Sequence, residues 1–443
     1  MQSMEQSQSQ YDAIIIGGGP GGATAALVLA RAGLRVVLLE KTNFPRFHIG
    51  ESLLPRIFPL FRELGLEEKV RALPHVEKFG AEFGMGDDPN SSKFTFDQGL
   101  LPGFPTANLS RAEFDEMLLR EADAAGAEVR EGIIVDKILE LTDGAVSISI
   151  GAQTLRGRYL IDASGHGTVV GRHLKTRKPI ADPNLHKVAY FEHFDNVQRL
   201  PGAASGHPSI FMSDEGWFWL IGLDELRTSV GFVASPELCK RVGVPANRML
   251  AWAIARCPVV RDRMAKASRE PINQVLADFS YTCRPYAGPG YFLVGDAAAF
   301  LDPVFSTGVT LAMMSGMHAA RHTIALIGGN VRPASARREY IRFFNNGSRP
   351  LWRLIRRFYQ HSFRELFLQG TGPHRIHSAV ISVLAGQVFP KPVWALRWRL
   401  RLFEWFVQIN KVVTMVPRRK RFSLLASEPV EWPAAEVASI QGS

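Results

Sequence analysis

Apolar and polar positions change period several times along the chain, and each change marks a different element. Tyr11-Asp-Ala-Ile-Ile-Ile16 is a short apolar run closed by Gly17, the pattern of a buried parallel strand. Gly22 to Ala32 is rich in Ala and Leu and stops at Gly33, which predicts a helix with a glycine cap. Arg35 to Glu40 is the next strand, completing one βαβ unit. Arg111 to Gly126 reads as a helix with Phe114, Met117, Leu118 and Ala122 on one face, followed by strands near Glu128–Val135, Val146–Ile150 and Arg158–Asp162. From about Leu185 to Val233 the period shortens toward two, as in Trp217-Phe-Trp-Leu-Ile221, and an inserted antiparallel sheet is expected. Tyr291–Asp296 returns to the buried-strand pattern, and Gly308 to Leu326 reads as a long helix.

The expected class is α/β with an α+β insert. A Rossmann-like nucleotide-binding domain occupies 1–180 and resumes over 281–330, interrupted by a mostly antiparallel substrate-domain sheet over 181–280. A basic helical region follows over 331–422, and 423–443, carrying Ser, Pro and Glu, is expected to be a loose tail.

Composition refines this picture at three points. The 443 residues are 46% hydrophobic and 21% charged, which excludes wholesale disorder. Cys239, Cys257 and Cys283 are widely spaced and match neither a zinc pattern nor a disulfide framework, so no metal and a reducing, cytoplasmic setting are expected. Met1–Gln10 lacks the basic flank and apolar core of a secretory signal, and no run of about 20 apolar residues offers a membrane span. Charge is strongly segregated. Between Val331 and Arg421 stand 19 Lys and Arg against Glu339, Glu365 and Glu404, an excess of 16 on a chain whose net charge is +10. The remainder is therefore acidic, and the basic block points to an anionic partner.

Gly17-Gly-Gly-Pro-Gly-Gly22 satisfies G-x-G-x-x-G between a strand and a helix, with Glu40 ending the next strand. Gly17 permits the turn, Gly19 lets backbone amides approach a pyrophosphate, Gly22 allows close packing, and Glu40 can accept from a ribose hydroxyl. A purely structural glycine turn is the plainer alternative. Glu40 alone does not separate NAD from FAD.

Downstream strings separate them by resemblance. Asp162-Ala-Ser-Gly165, Val294-Gly-Asp296 and Asn108-Leu-Ser-Arg111 resemble the two-domain FAD-dependent monooxygenase superfamily. More narrowly, Phe44-Pro-Arg-Phe-His-Ile-Gly-Glu-Ser-Leu-Leu-Pro55 resembles a loop of flavin-dependent halogenases, and Phe300-Leu-Asp-Pro-Val-Phe-Ser-Thr-Gly308 matches their F-x-x-P-x-x-S-x-G pattern in full. Trp217-Phe-Trp-Leu-Ile221 matches W-x-W-x-I, with Gly222 where the family has proline. Lys78 falls where the family places its essential lysine. The resemblance runs from about Tyr11 to Leu326.

The resemblance implies a Rossmann-like FAD-binding domain whose reduced FAD comes from a separate flavin reductase. With dioxygen and a halide, chloride or bromide, it makes hypohalous acid. Lys78 receives that acid, as a haloamine or by a hydrogen bond that orients it, for electrophilic substitution of an electron-rich aromatic ring. Asp296, Arg46, Ser52 and Arg111 would sit at the cofactor, and Ser306 would join Lys78 as a catalytic residue. The amides of Thr307 and Gly308 at a helix start would seat the halide. Trp217 and Trp219 would keep substrate from the flavin, with plain sheet packing an equal alternative.

Halogenases of free tryptophan carry Glu immediately before that serine, where this chain has Phe305. The resemblance therefore favours a pyrrole or phenol, tethered to an acidic carrier protein that would suit the basic block. Trp394 to Trp405, mixing Arg with Trp and Leu, also fits peripheral membrane contact, and no nucleic-acid module is visible. Two other functions stay open, a flavin hydroxylase or reductase of the same fold and a flavin-binding partner protein without turnover.

Overall fold

A computed structural model describes residues 11–430, apart from 102, 104, 270–273, 278–279 and 371. Strand β1 (Tyr11–Ile16), helix α1 (Pro20–Arg31) and strand β2 (Val36–Leu39) form the expected βαβ unit. The segments His75–Lys78, Gly80–Met85, Ser92–Thr95 and Thr106–Leu109 follow as β3 to β6, then helix α2 (Arg111–Ala124) and β7 (Glu128–Arg130). Next come Lys137–Thr142 (β8), Ala145–Ile150 (β9) and Gln153–Asp162 (β10). The first sheet runs β10–β1–β2–β7 in parallel, with Tyr291–Leu293 added parallel on the other side of β10. β9 pairs antiparallel with the first half of β10. Parallel strands buried on both faces explain the unbroken apolar runs; Ala13, Ile14 and Ile15 are fully buried.

The second sheet is built from Val188–Asp195 (β11), Ser209–Met212 (β12), Gly216–Gly222 (β13) and Arg227–Ala234 (β14), paired antiparallel in the order β11–β14–β13–β12. It continues through β4 and β5, with β12 and β4 parallel. The sheet thus takes two strands from inside the stretch 1–180. Their period-two signal is short and interrupted by Gly80, Gly84 and Gly86, so it did not stand out from the surrounding loop pattern. β3 and β6 form a separate antiparallel pair in which Lys78 lies opposite Thr106.

Helix α3 (Gly308–Ile327) is followed by α4 (Pro333–Phe358), α5 (His361–Leu368), α6 (Ile376–Leu384) and α7 (Trp394–Val412). These helices close the same core: Phe344, Phe358, Phe363, Val380 and Val407 are all fully buried. Part of the segment expected to be a loose tail, 423–430, is tied to the body at two points. Leu424 is buried, its amide donates to Glu215 at 2.9 Å, and the Val430 amide donates to Ala255 O at 2.9 Å. A carboxylate in the turn between β12 and β13 and a carbonyl 175 residues upstream supply acceptors that a reading of local composition does not reveal. Residues 431–443 of that segment lie outside the described residues.

Candidate active site

A cavity of about 510 Å³ opens where the two sheets meet the start of α3. The glycine turn forms one wall. Gly17 has φ +102°, and a Cβ on it would stand 2.3 Å from Ala163 O; one on Gly22 would stand 1.9 Å from Gly17 O. Only bare backbone fits there, which brings the turn and the first amides of α1 up to the cavity. Glu40 Oε2 accepts from the Gly18 amide at 2.7 Å, and Oε1 accepts from Thr42 N and Oγ1. It therefore braces the turn as well as facing the cavity.

Arg111 donates to both oxygens of Asp115 at 2.7 and 2.8 Å and to Ile49 O at 2.8 Å. It fastens the loop 46–52 to α2. Arg46 lies 3.4 Å from Asp115, with its guanidinium 3.5 Å from where a Cβ on Gly19 would be, so it overhangs the glycine turn. Asp296 also lines the cavity, and among the described residues its carboxylate accepts no protein hydrogen bond. Burial pushes that carboxyl up from its usual range, opposed by His166 and Arg111. A bare glycine turn, an overhanging guanidinium and a carboxylate left free to accept hydroxyls fit a flavin dinucleotide.

The Pro303–Gly308 loop forms the end wall. Asp302 Oδ1 accepts from Val304 N at 3.0 Å and shapes the turn, Ser306 sits in the left-handed region at φ +54°, and Thr307 stands immediately before α3. Thr307 and Gly308 both line the cavity, at a helix start whose amides lack intrahelical acceptors. Phe305 is buried against Phe358, with ring centroids 5.7 Å apart.

Trp217 and Trp219 share one face of β13, with rings 5.8 Å apart, and both line the cavity. Trp219 Nε1 donates to Ser229 Oγ and Trp217 Nε1 to Tyr359 Oη, each at 3.0 Å. Tyr359 in turn donates to Asp302 Oδ2. The space a side chain would need at Gly222 is held by the guanidinium of Arg199, whose Cζ would lie 2.7 Å from a Cβ there.

Lys78 does not line the cavity itself; Ser52, its neighbour, does. Lys78 is buried, and its Nζ donates to Ser52 Oγ at 2.9 Å and Leu53 O at 3.0 Å, 5.3 Å from the Phe96 ring centroid. Burial pushes its ammonium down to about 7. Next to Ser52, Glu51 Oε1 lies 2.7 Å from His193 Nε2, both groups buried. Sequence reasoning missed Asp302, Tyr359, Glu51 and His193. Asp302 carries a legible signal, an acid before proline at the start of a turn; Tyr359 and His193 carry none, because their partners are 57 and 142 residues away.

These features define an FAD-dependent oxidoreductase. Residues 10–335 match the model of the FAD binding domain family. The chain is 34% identical over 330 residues to the 1H-pyrrole-2-carbonyl-[peptidyl-carrier protein] brominase of Pseudoalteromonas luteoviolacea, covering 72% of this chain and 79% of that one. It is 35% identical over 360 residues to the tryptophan 2-halogenase of Chondromyces crocatus, covering 79% and 68%. The structure of the flavin-dependent brominase Bmp2 superposes with TM-score 0.79 at 29% identity, over 90% of this chain and 100% of that one. The chain belongs to the FAD binding domain family and, within it, to the flavin-dependent halogenases.

Proposed function

We propose that this enzyme halogenates an electron-rich aromatic ring, a pyrrole or a phenol, presented on an acidic carrier protein, with Lys78 as the amine that handles the oxidised halogen. When bound, reduced FAD supplied by a flavin reductase provides, with dioxygen and halide, the chemistry that yields hypohalous acid. The glycine turn, Glu40, Arg46, Arg111 and Asp296 would hold the cofactor, with Ser52 standing between its cavity and Lys78. The amides of Thr307 and Gly308 would hold the halide, with Ser306 turning the loop toward it. Trp217 and Trp219 wall the cavity against the aromatic substrate.

The observation that carries the reading is the Lys78 amine. Among the described residues it has no anion beside it; it is buried and fixed by two acceptors, one of which, Ser52, also lines the cavity. Desolvation favours its neutral form, which is nucleophilic, at a fixed point near where the acid is made. Phe305, where a carboxylate would stand for free tryptophan, supports pyrrole or phenol over indole. For the carrier, the supporting feature is a cationic stripe on α4: Arg338, Arg342, Arg349, Arg353 and Arg356 are exposed within roughly 60° of arc at 100° per residue.

The test combines the protein with FAD, a flavin reductase, NADH and bromide, and offers phenols, indoles and a carrier-loaded pyrrole. Brominated product that disappears in Lys78→Ala while FAD stays bound is expected. Bromide-independent hydroxylated product would instead make this a hydroxylase.

A further inference from the structure

The two outer stripes of the basic region differ in kind. That of α4 is arginine alone. On α7, Trp394, Arg397, Arg401, Trp405 and Val412 fall within roughly 80° of arc, and the helix's one acid, half-buried Glu404, lies beyond the edge of that arc. Trp394 is 75% exposed, Trp405 60% and Val412 87%, and the apolar end continues into exposed Val413 and Met415. The opposite face of α7 (Leu396, Leu400, Phe403, Val407) is buried in the core, so the helix is anchored and the stripe faces outward. Charge complementarity to an acidic protein accounts for an arginine row; it does not account for two indoles and an aliphatic tip held in water on a convex ridge.

We infer that α7 docks along an anionic lipid bilayer, with its indoles in the headgroup zone and its cations against lipid phosphates. The indoles are about 16 Å apart along the helix, a span that lies flat on a surface. Trp is favoured at such interfaces because one ring is apolar over most of its area and carries a single N–H donor. Arg397 and Arg401 between the indoles, with exposed Lys391 and Lys411 at either end, attract anionic lipid. Among the described residues no helix is long and apolar enough to cross a membrane, so the contact is peripheral. A lipid surface needs no complementary shape, which suits a ridge rather than a groove.

The test is sedimentation of the FAD-loaded protein with vesicles, without substrate, so that it stands apart from the halogenation reading. Vesicles of phosphatidylcholine with 30% phosphatidylglycerol should pull the protein down, and pure phosphatidylcholine should do so at least about 10-fold less well. Trp394→Ser/Trp405→Ser, and separately Arg397→Gln/Arg401→Gln, should each weaken anionic binding by about 10-fold or more with flavin content and thermal midpoint unchanged. Wild-type protein left in the supernatant would overturn the proposal. So would a double-Trp variant that sediments normally yet loses turnover of a carrier-loaded acceptor, since the stripe would then be a carrier face.

Discussion

Two buried lysines stand behind different parts of the cavity wall, Lys78 behind Ser52 and Lys187 behind Tyr359 and Asp302, and their surroundings give them opposite chemistry. Among the described residues Lys78 has neutral acceptors only, Ser52 Oγ and Leu53 O, and burial pushes its pKa down to about 7. Lys187 lies 4.5 Å from the centroid of the Tyr359 ring; burial lowers its pKa too, but the charge of Asp302 opposes the shift. Asp302 is pushed up to about 6 by burial, with Tyr359, Val304 and Lys187 pulling it back. One setting therefore presents an amine ready to shed its proton, and the other a cation and carboxylate that sustain each other. A buried lysine becomes reactive where its counter-charge is missing.

The largest effect should come from deleting the uncompensated amine. Lys78→Met should cut halogenated product by at least about 10²-fold with FAD binding intact, whereas Lys187→Met should keep most turnover. Equal losses would mean that a missing counter-charge is not what makes Lys78 reactive. The pH profile tests the same point. Because the folded-state pKa is lowered, the free amine gains population as pH rises through 7, so transfer should increase from pH 6 to 8. A fall over that range would instead assign the ammonium as the active form. The same shift makes the unfolded chain bind the extra proton between about 7 and its ordinary 10.5, so this group's contribution to stability rises with pH across that window.

At the compensated lysine, Asp302→Asn should come next. Both carboxylate oxygens are engaged, and an amide can accept through only one of its two positions. A loss of about 2–3 kcal/mol is expected in denaturant unfolding, together with a raised KM for bromide as the Pro303–Gly308 loop loses its brace. Tyr359→Phe should be milder, about 1 kcal/mol. It removes the hydroxyl that joins Trp217 to Asp302, so the carboxyl should titrate above its present value of about 6. An unchanged pH dependence of bromide KM in this variant would show that Asp302 does not govern the loop.

The chemistry of each setting was unequally visible in the sequence. The βαβ unit, the glycine turn and the same-face placement of Trp217 and Trp219 are local patterns, so spacing exposes them; the Pro303–Gly308 loop stood out through resemblance. Lys78 was legible only through resemblance; its burial depends on β3 pairing with β6 and on Ser52 arriving from another loop. The recruitment of β4 and β5 into the second sheet, the His193–Glu51 contact and the docking of Tyr359 are long-range pairings that carry no local period. The basic block showed as composition, but its division into an arginine row and an indole ridge required knowing which faces of α4 and α7 the core covers.

The smallest effect is expected at Gly222, beyond the tryptophan wall, where this chain departs from the family motif. A Cβ there would lie 2.7 Å from Arg199 Cζ. That guanidinium donates to Asp224 O, Arg227 O and Thr228 Oγ1, tying the turn between β13 and β14. The obstacle is the end of a flexible side chain rather than backbone, so Gly222→Ala should cost under about 1 kcal/mol. Trp219 is held independently by Ser229, so the wall should stand and the ratio of halogenated to hydroxylated product should not change. Arg199→Met with Gly222→Ala should be less than additive in stability, because the two share one contact. A product ratio that shifts in Gly222→Ala alone would mean that the tryptophan wall is set by the end of its strand, and that the setting of the amine tolerates less freedom than its hydrogen bonds imply.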